Sequence, residues 1–301
     1  MIFLLLSITT STLISLLFKW FKGKSLNMLQ VLIGNYITCV LCGLAYQAFY
    51  HNFTIAPSGN WLWLGALLGI IFITGFYAIA STVQQFGVTI ATVATKMSVA
   101  ISVVGAFIFF NESATALKII GVLLALFAVY LSAKTTKSNE KAIDNPVIKG
   151  SIWLPIFVFL SSGLIEISLK HAQLNLLGDN DINLFTTLIF LSAGILGVGL
   201  LVINILRKKT SISSKSLGWG LLLGIPNYAS IFFLITLLDQ PGWESSMVYP
   251  VNNIGIILLS ALLAMLLFSE KMNKYNVAGF VLGIIAILLL SAEGFWLKYF
   301  I

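Results

Sequence analysis

Long apolar stretches separated by short polar breaks run along the whole chain. A helix needs about 20 mostly apolar residues to cross roughly 30 Å of hydrocarbon, and this length divides the chain into ten candidate spans. Most breaks contain turn residues and charges, as in FKGKS, APSGN, GDND and RKKTS. The break between the third and fourth spans is weak and rests on Gln84, Gln85 and Gly87. The predicted spans are 2–19, 27–48, 61–83, 87–110, 115–133, 152–172, 183–206, 217–238, 245–268 and 276–296.

The second half of the chain repeats the first. A shift of 158 positions places Trp219 on Trp61 and Gly279 on Gly121 without a gap, and smaller shifts align the first two spans of each half. The chain is therefore predicted to consist of two five-helix units, 1–133 and 151–301, joined by a basic connecting loop at 134–150. Because five is odd, the two units are expected to cross the membrane in opposite senses. Such inverted repeats are typical of secondary transporters.

Composition places the chain in a membrane. Hydrophobic residues make up 59% of its 301 residues and charged residues 9%, whereas a soluble domain carries about 25% charged residues. The net charge of +7 is spread over loops and forms no basic stripe, which argues against nucleic-acid binding. Loops that follow odd-numbered spans, together with Lys19 at the end of the first span, hold 13 of the 17 Lys and Arg residues. The positive-inside rule predicts that these loops are cytoplasmic and that both termini of this multi-pass cell-membrane protein lie outside.

Two stretches of the sequence resemble a known family. AFIFFNESATALKIIGVLLALFAVYL and AMLLFSEKMNKYNVAGFVLGIIAILLL each show an apolar helix, a Glu at a short turn, a Gly nine residues later and a closing helix rich in small residues. These landmarks are Glu112 and Gly121 in the first stretch, and Glu270 and Gly279 in the second. In this pattern the chain resembles the EamA-type transporters of the drug/metabolite transporter (DMT) superfamily.

The resemblance implies an all-α carrier of ten transmembrane helices with a central cavity lined by both halves. Members of the family move amino acids, nucleotide sugars, drugs or lipid-linked sugars. Some hold both termini in the cytoplasm, opposite to the orientation that the charges of this chain predict. The chain is accordingly expected to export a small organic metabolite by alternating access. A flippase or carrier for a lipid-linked or nucleotide-activated sugar is the alternative.

Polar residues inside the apolar spans form the candidate binding site. The first and sixth spans carry pairs spaced i, i+4, and the fourth and ninth spans carry sets spaced i, i+3, i+4, so each group lies on one helix face. We expect the four faces to line one midplane cavity, although serine and threonine also serve simply to join helices. The candidate substrate-binding residues are Ser11, Ser15, Thr92, Thr95, Lys96, Ser162, Glu166, Tyr249, Asn252 and Asn253.

Lys96 and Glu166 are the two ionisable residues well inside spans. A charge at the bilayer centre costs roughly 2.5–3.5 kcal/mol on insertion scales and indicates a function. At 1.5 Å per residue they lie about 14 and 21 Å from the cytoplasmic ends of their spans. We expect Lys96 to face a polar cavity and to pair with Glu166 or with an anionic group of the substrate. A structural ion pair is the alternative. If Glu166 changes protonation during transport, protons would be the coupling ion.

No catalytic motif accompanies these residues. The sequence contains no H-E-x-x-H motif, nucleophile elbow or Gly-rich phosphate loop, and it has two histidines. We therefore expect no enzymatic activity, no cofactor and no metal, and we interpret Cys39 and Cys42 as buried small hydrophobes. Glu112 and Glu270 are interpreted as helix caps or anchors. The sequence does not distinguish a monomer from a homodimer.

Overall fold

Eleven α-helices make up the described part of the chain. The computed structural model describes residues 2–50, 59, 61–109, 115–133, 152–177, 181–238, 245–270 and 272–299. The predicted connecting loop at 134–150 and Glu112 lie outside these residues. The helices are α1 (Ile2–Phe21), α2 (Met28–Tyr50), α3 (Leu62–Phe86), α4 (Val88–Lys96), α5 (Val99–Phe109), α6 (Ala116–Ala133), α7 (Trp153–Asn175), α8 (Ile182–Leu206), α9 (Ser214–Leu238), α10 (Ser245–Phe268) and α11 (Lys274–Tyr299).

The helices account for ten spans. By length and composition, α1, α2, α3, α8 and α9 are long and apolar enough to cross a membrane. Five further apolar segments are shorter, and one of them joins α4 and α5 over Val88–Ile101. α4 and α5 together correspond to the fourth predicted span, so the eleven helices form ten spans. The architecture confirms the prediction of an all-α membrane protein with ten spans.

The fourth predicted span is not one continuous helix. α4 ends at Lys96 and α5 begins at Val99, so the prediction of an unbroken helix over 87–110 is wrong. The Ser98 hydroxyl lies 2.5 Å from the carbonyl oxygen of Thr95. A short polar side chain of this kind competes with the backbone for a carbonyl that would otherwise continue the helix. The span is therefore interrupted about halfway across the membrane.

The structure confirms the predicted break between the third and fourth spans, which consists of a single glycine. α3 ends at Phe86, α4 begins at Val88, and Gly87 between them has φ 101° and ψ 168°. This backbone region is essentially restricted to glycine. The chain therefore reverses direction with a single residue between two helices.

Helices from the two halves of the chain pack against each other. α2 lies along α9, α3 along α8 and α6 along α11. Glycines permit the close approach of α2 and α9, because a Cβ at Gly220 would meet the carbonyl oxygen of Val31 and one at Gly34 would meet that of Leu217. α4 lies among these pairs and contacts α1, α7 and α10.

Loops from both halves meet at one membrane face. The loop between α1 and α2 (22–27) and the loop between α8 and α9 (207–213) are joined by hydrogen bonds from Asn27 and Gln30. We call the face formed by these two loops the basic face, because it exposes several lysines and an arginine. The junction of α3 with α4 and the turn between α10 and α11 lie on the same side, since Lys19 near the end of α1 bonds Glu270 in that turn.

Candidate functional site

The four predicted polar faces lie on helices that meet at α4. The first, sixth and ninth predicted spans correspond to α1, α7 and α10, and α4 contacts all three. α4 is short, with nine residues, and its side chains from Val88 to Ala94 are buried. The tertiary structure therefore gathers the elements of the candidate site around one half-helix in the middle of the molecule. Discontinuous helices of this kind form the substrate sites of many secondary transporters.

Lys96 stands at the C-terminal end of α4. The end of a helix carries a partial negative charge from its last carbonyl groups, which favours a cation there. The Lys96 ammonium also interacts electrostatically with the carboxylate of Glu166 on the neighbouring α7. The structure thus brings together the two ionisable residues singled out in the sequence. The helix end and the carboxylate both favour the charged lysine and oppose the cost of burying an ammonium group at this depth.

Ser98 connects the break in the span to Glu166. It is fully buried, and its hydroxyl donates a hydrogen bond to Glu166 Oε1 at 2.7 Å, while the carbonyl oxygen of Thr95 lies 2.5 Å away. A hydroxyl has a single proton, so Ser98 can donate to one of these oxygens at a time. When Glu166 is protonated, its carboxyl can donate to Ser98, and Ser98 can then donate to Thr95. The sequence analysis missed Ser98, because one serine in an apolar run resembles a small packing residue.

Three buried polar atoms around α4 have no hydrogen-bond partner among the described residues. They are Oγ1 of Thr12 on α1, Oγ1 of Thr92 on α4 and Oδ1 of Asn252 on α10. Their side chains are 1%, 3% and 3% exposed, and the three helices contact one another. An unsatisfied buried polar group costs about 1–3 kcal/mol, and native proteins retain few of them. These atoms are therefore candidates for contact with a polar ligand.

The other predicted residues occupy more varied positions. The Thr95 hydroxyl donates to the carbonyl oxygen of Ala91 at 2.8 Å within α4, which is the structural use foreseen as the alternative for threonine. Tyr249 belongs to α10, but its side chain lies outside the described residues. Ser162 on α7 and Asn253 on α10 are buried. Ser11 and Ser15 on α1 are partly buried.

A second polar cluster lies between α2 and α9. The side-chain amide of Asn227 donates to Asn35 Oδ1 at 3.1 Å and lies 3.6 Å from the sulfur of Cys39. Nδ2 of Asn35 and the hydroxyl of Tyr36 have no partner among the described residues. Cys39 is buried, Cys42 is partly buried and both are free thiols. The sequence analysis missed Asn35, Tyr36 and Asn227, because they follow no repeated spacing.

Glu270 caps a helix that is remote in the sequence. Its Oε1 accepts hydrogen bonds from Lys19 Nζ and from the backbone N–H of Val88, both at 2.9 Å. Its Oε2 accepts from the hydroxyl of Thr89 at 3.3 Å. A carboxylate at the first turn of a helix satisfies free N–H groups and complements the helix dipole. Glu270 therefore anchors the start of α4 to α1 and to the turn between α10 and α11, and we call this contact the Glu270 junction.

Known proteins resemble this chain in sequence and in fold. The model of the EamA-like transporter family matches residues 1–134. The first half of the chain is therefore similar to the EamA-like transporter family. An uncharacterized protein of Haemophilus influenzae is 27% identical to this chain over 292 residues, which cover 94% of this chain and 95% of that protein. A protein of known crystal structure shares the fold with a TM-score of 0.55 at 12% identity, over 94% of this chain and 97% of that one.

The family match confirms the resemblance seen in the sequence. Residues 1–134 thus resemble a family of membrane transporters, and the long apolar helices indicate a multi-pass membrane protein. Among the described residues, no group of three or more His, Cys, Asp and Glu side chains could hold a metal ion. The arrangement around α4 instead offers hydrogen-bonding groups, one cation and one carboxylate.

Proposed function

We propose that this EamA-like protein is a secondary transporter that exports a small organic metabolite by alternating access, with its binding site around α4. The observation that carries the proposal is the set of three unpartnered buried polar atoms, on Thr12, Thr92 and Asn252, close to an intramembrane lysine. Such atoms gain hydrogen bonds when a polar solute binds. A lysine and a carboxylate within a span are typical of substrate and ion pathways.

The chemistry of the site favours a solute with both an anionic group and hydrogen-bond donors. Lys96 supplies a cation for a carboxylate or a similar group. The free oxygen of Asn252 accepts a hydrogen bond, while the hydroxyls of Thr12 and Thr92 can donate or accept. An amino acid or a related metabolite meets these requirements, and the ten residues predicted from the sequence remain the proposed lining of the site.

Proton coupling through Glu166 follows from the contact with Ser98. With Glu166 ionised, Ser98 donates to the carboxylate and leaves the Thr95 carbonyl; with Glu166 protonated, Ser98 donates to Thr95. Protonation would also remove the negative charge next to Lys96 and free the ammonium for an anionic substrate. We therefore propose that protons are the coupling ion and that Glu166 carries them.

Alternating access rests on the proposed repeat of residues 1–133 and 151–301. The helix contacts support this repeat, because they occur in equivalent pairs. The contact of α2 with α9 is equivalent to that of α8 with α3, and the contact of α1 with α10 is equivalent to that of α7 with α4 and α5. In the repeat alignment each of these pairs converts into the other. The Glu270 junction joins Lys19 and α4 of the first unit to a turn of the second unit, so we propose that it closes the site toward the basic face.

The test is transport by purified protein in proteoliposomes with and without a pH gradient. A panel of amino acids and related metabolites is measured for the wild type, Lys96→Ala and Glu166→Gln, with Thr82→Val as the control, because the Thr82 hydroxyl bonds its own helix. The proposal predicts gradient-driven transport that Lys96→Ala abolishes and Glu166→Gln uncouples from the gradient. Wild-type transport by both variants would refute the proposed site. Movement of a sugar conjugate alone would favour the flippase or sugar carrier.

A further inference from the structure

Two loops from different halves of the chain form one rigid surface at the basic face. The side chain of Gln30, which is fully buried, donates to the carbonyl oxygen of Ser211 and accepts from the backbone N–H of Ser213, both at 2.7 Å. Asn27 adds hydrogen bonds to Thr210 and Ser216, both at 3.0 Å. The backbones that carry the cations of the two loops are therefore tied to one another.

Within the described residues, the surface is strongly positive and its charges are not neutralised by neighbouring carboxylates. Neither loop, 22–27 or 207–213, contains an acidic residue. Among the described residues, no carboxylate lies within ion-pairing distance of any of these cations, whereas Lys19 next to them is paired with Glu270. The positive-inside rule explains why these loops are positive. It does not require that loops from the two halves of the chain be joined by hydrogen bonds into one cluster of six charges. Five of the six cations lie in the loops and the sixth lies in the adjacent first turn of α9; they are Lys22, Lys24, Arg207, Lys208, Lys209 and Lys215.

Large apolar side chains are exposed beside these charges. Leu206 is 76% exposed, Ile212 67% and Trp20 39%. The ammonium of Lys24 lies 3.8 Å from the centroid of the Trp20 ring, and Trp20 packs edge-on against Trp219 at 4.6 Å. Tryptophan and exposed aliphatic side chains next to lysines are typical of the boundary between acyl chains and headgroups. A freely soluble anion would gain nothing from this apolar rim.

We propose that the basic face is a binding surface for anionic phospholipids, whose phosphate groups contact the six cations while their acyl chains cover Trp20, Leu206 and Ile212. Clusters of four to eight Lys and Arg next to the cytoplasmic end of a span commonly bind anionic lipids. The occupied surface ties α1 and α2 to α8 and α9, so bound lipid stabilises the contact between the two halves. The proposal does not depend on which solute is transported.

The experiment measures thermal stability of the purified protein in detergent with added phosphatidylglycerol, phosphatidylcholine or glycerol 1-phosphate. We expect phosphatidylglycerol to raise the melting temperature of the wild type and the other two additives to have little effect. The variant Lys22→Gln/Lys209→Gln removes one charge from each loop, and its apparent affinity for phosphatidylglycerol should fall roughly tenfold or more. Lys22→Arg/Lys209→Arg keeps both charges and should behave like the wild type.

The control variant Lys118→Gln/Lys298→Gln removes the same net charge from the ends of α6 and α11 at the opposite face. Equal loss of lipid affinity in this variant would overturn the proposal, because charge in general would then explain the effect. Stabilisation by glycerol 1-phosphate as strong as that by phosphatidylglycerol would indicate a site for soluble phosphate and would overturn it as well. The melting temperature in phosphatidylcholine shows whether each variant is folded.

Discussion

At the scale of single residues, the polar groups around α4 are of two kinds: some have interaction partners in the protein and others have none among the described residues. The charge of Lys96 is favoured by the end of its helix and by the carboxylate of Glu166. Thr12, Thr92 and Asn252 are buried without such partners in the described part of the chain. A fold that retains unsatisfied atoms gives up stability at those positions, and functional sites are where proteins commonly do so.

Lys96 and Glu166 should be energetically coupled. We expect Lys96→Met and Glu166→Gln each to lower the melting temperature, because each leaves one member of the pair without its partner. The double variant should melt closer to the wild type than the sum of the two losses, with a coupling of about 1–2 kcal/mol. Thermal unfolding of the four proteins in detergent measures it, and Lys22→Met in an exposed loop is the control. Strictly additive losses would show that the two charges do not interact.

Thr92→Val should separate stability from function. Valine keeps the shape of threonine and removes a buried hydroxyl that has no partner, so stability should be unchanged or rise by up to about 1 kcal/mol. Transport should weaken, with KM raised roughly three- to tenfold, because the hydroxyl is lost to the substrate. The matched variant Thr82→Val removes a buried hydroxyl that donates to the Ala78 carbonyl at 2.7 Å and should leave KM unchanged. A loss of stability in Thr92→Val without any change in KM would contradict a binding role.

At the scale of elements, α4 is defined by what happens at its two ends. It begins after Gly87, where Glu270 caps it, and it ends at Lys96, where Ser98 interrupts the helix. Both ends depend on a residue from the second half of the chain, Glu270 at one and Glu166 at the other. A short helix held in this way can shift when either carboxylate changes its partners.

Gly87→Ala should disrupt the start of α4. A Cβ at this position would meet Oε1 of Glu270, and an L-residue at φ 101° is strained, so we expect a loss of about 1–3 kcal/mol of stability. Gly199→Ala is the control, because nothing lies within 4 Å of a Cβ there and alanine favours a helix. Melting temperatures measured in the same detergent compare the two. An equal effect of both substitutions would mean that the junction tolerates a side chain at Gly87.

At the scale of the whole molecule, the distribution of charge predicts the orientation. We propose that the basic face is cytoplasmic and that the termini lie outside, by the positive-inside rule. In a background without Cys39 and Cys42, Asn175→Cys at the end of α7 should react with an impermeant maleimide on intact cells. Ser211→Cys in the loop between α8 and α9 should react only after the membrane is permeabilised. The reverse pattern would place both termini in the cytoplasm, as in some members of the family.

The sequence by itself determined the ten spans, the membrane environment and the resemblance to EamA-like transporters, because each of these depends on local hydrophobicity or on a short motif. It also singled out Lys96 and Glu166, since a charge inside an apolar run is visible without a structure. Only the tertiary structure decided that the fourth span breaks after Lys96, that Ser98 contacts Glu166 and that Glu270 caps α4. The physical reason is distance along the chain: the partners of Glu270 lie 181, 182 and 251 positions away. No local pattern encodes contacts of that range, and they arise only when the two halves of the chain pack together.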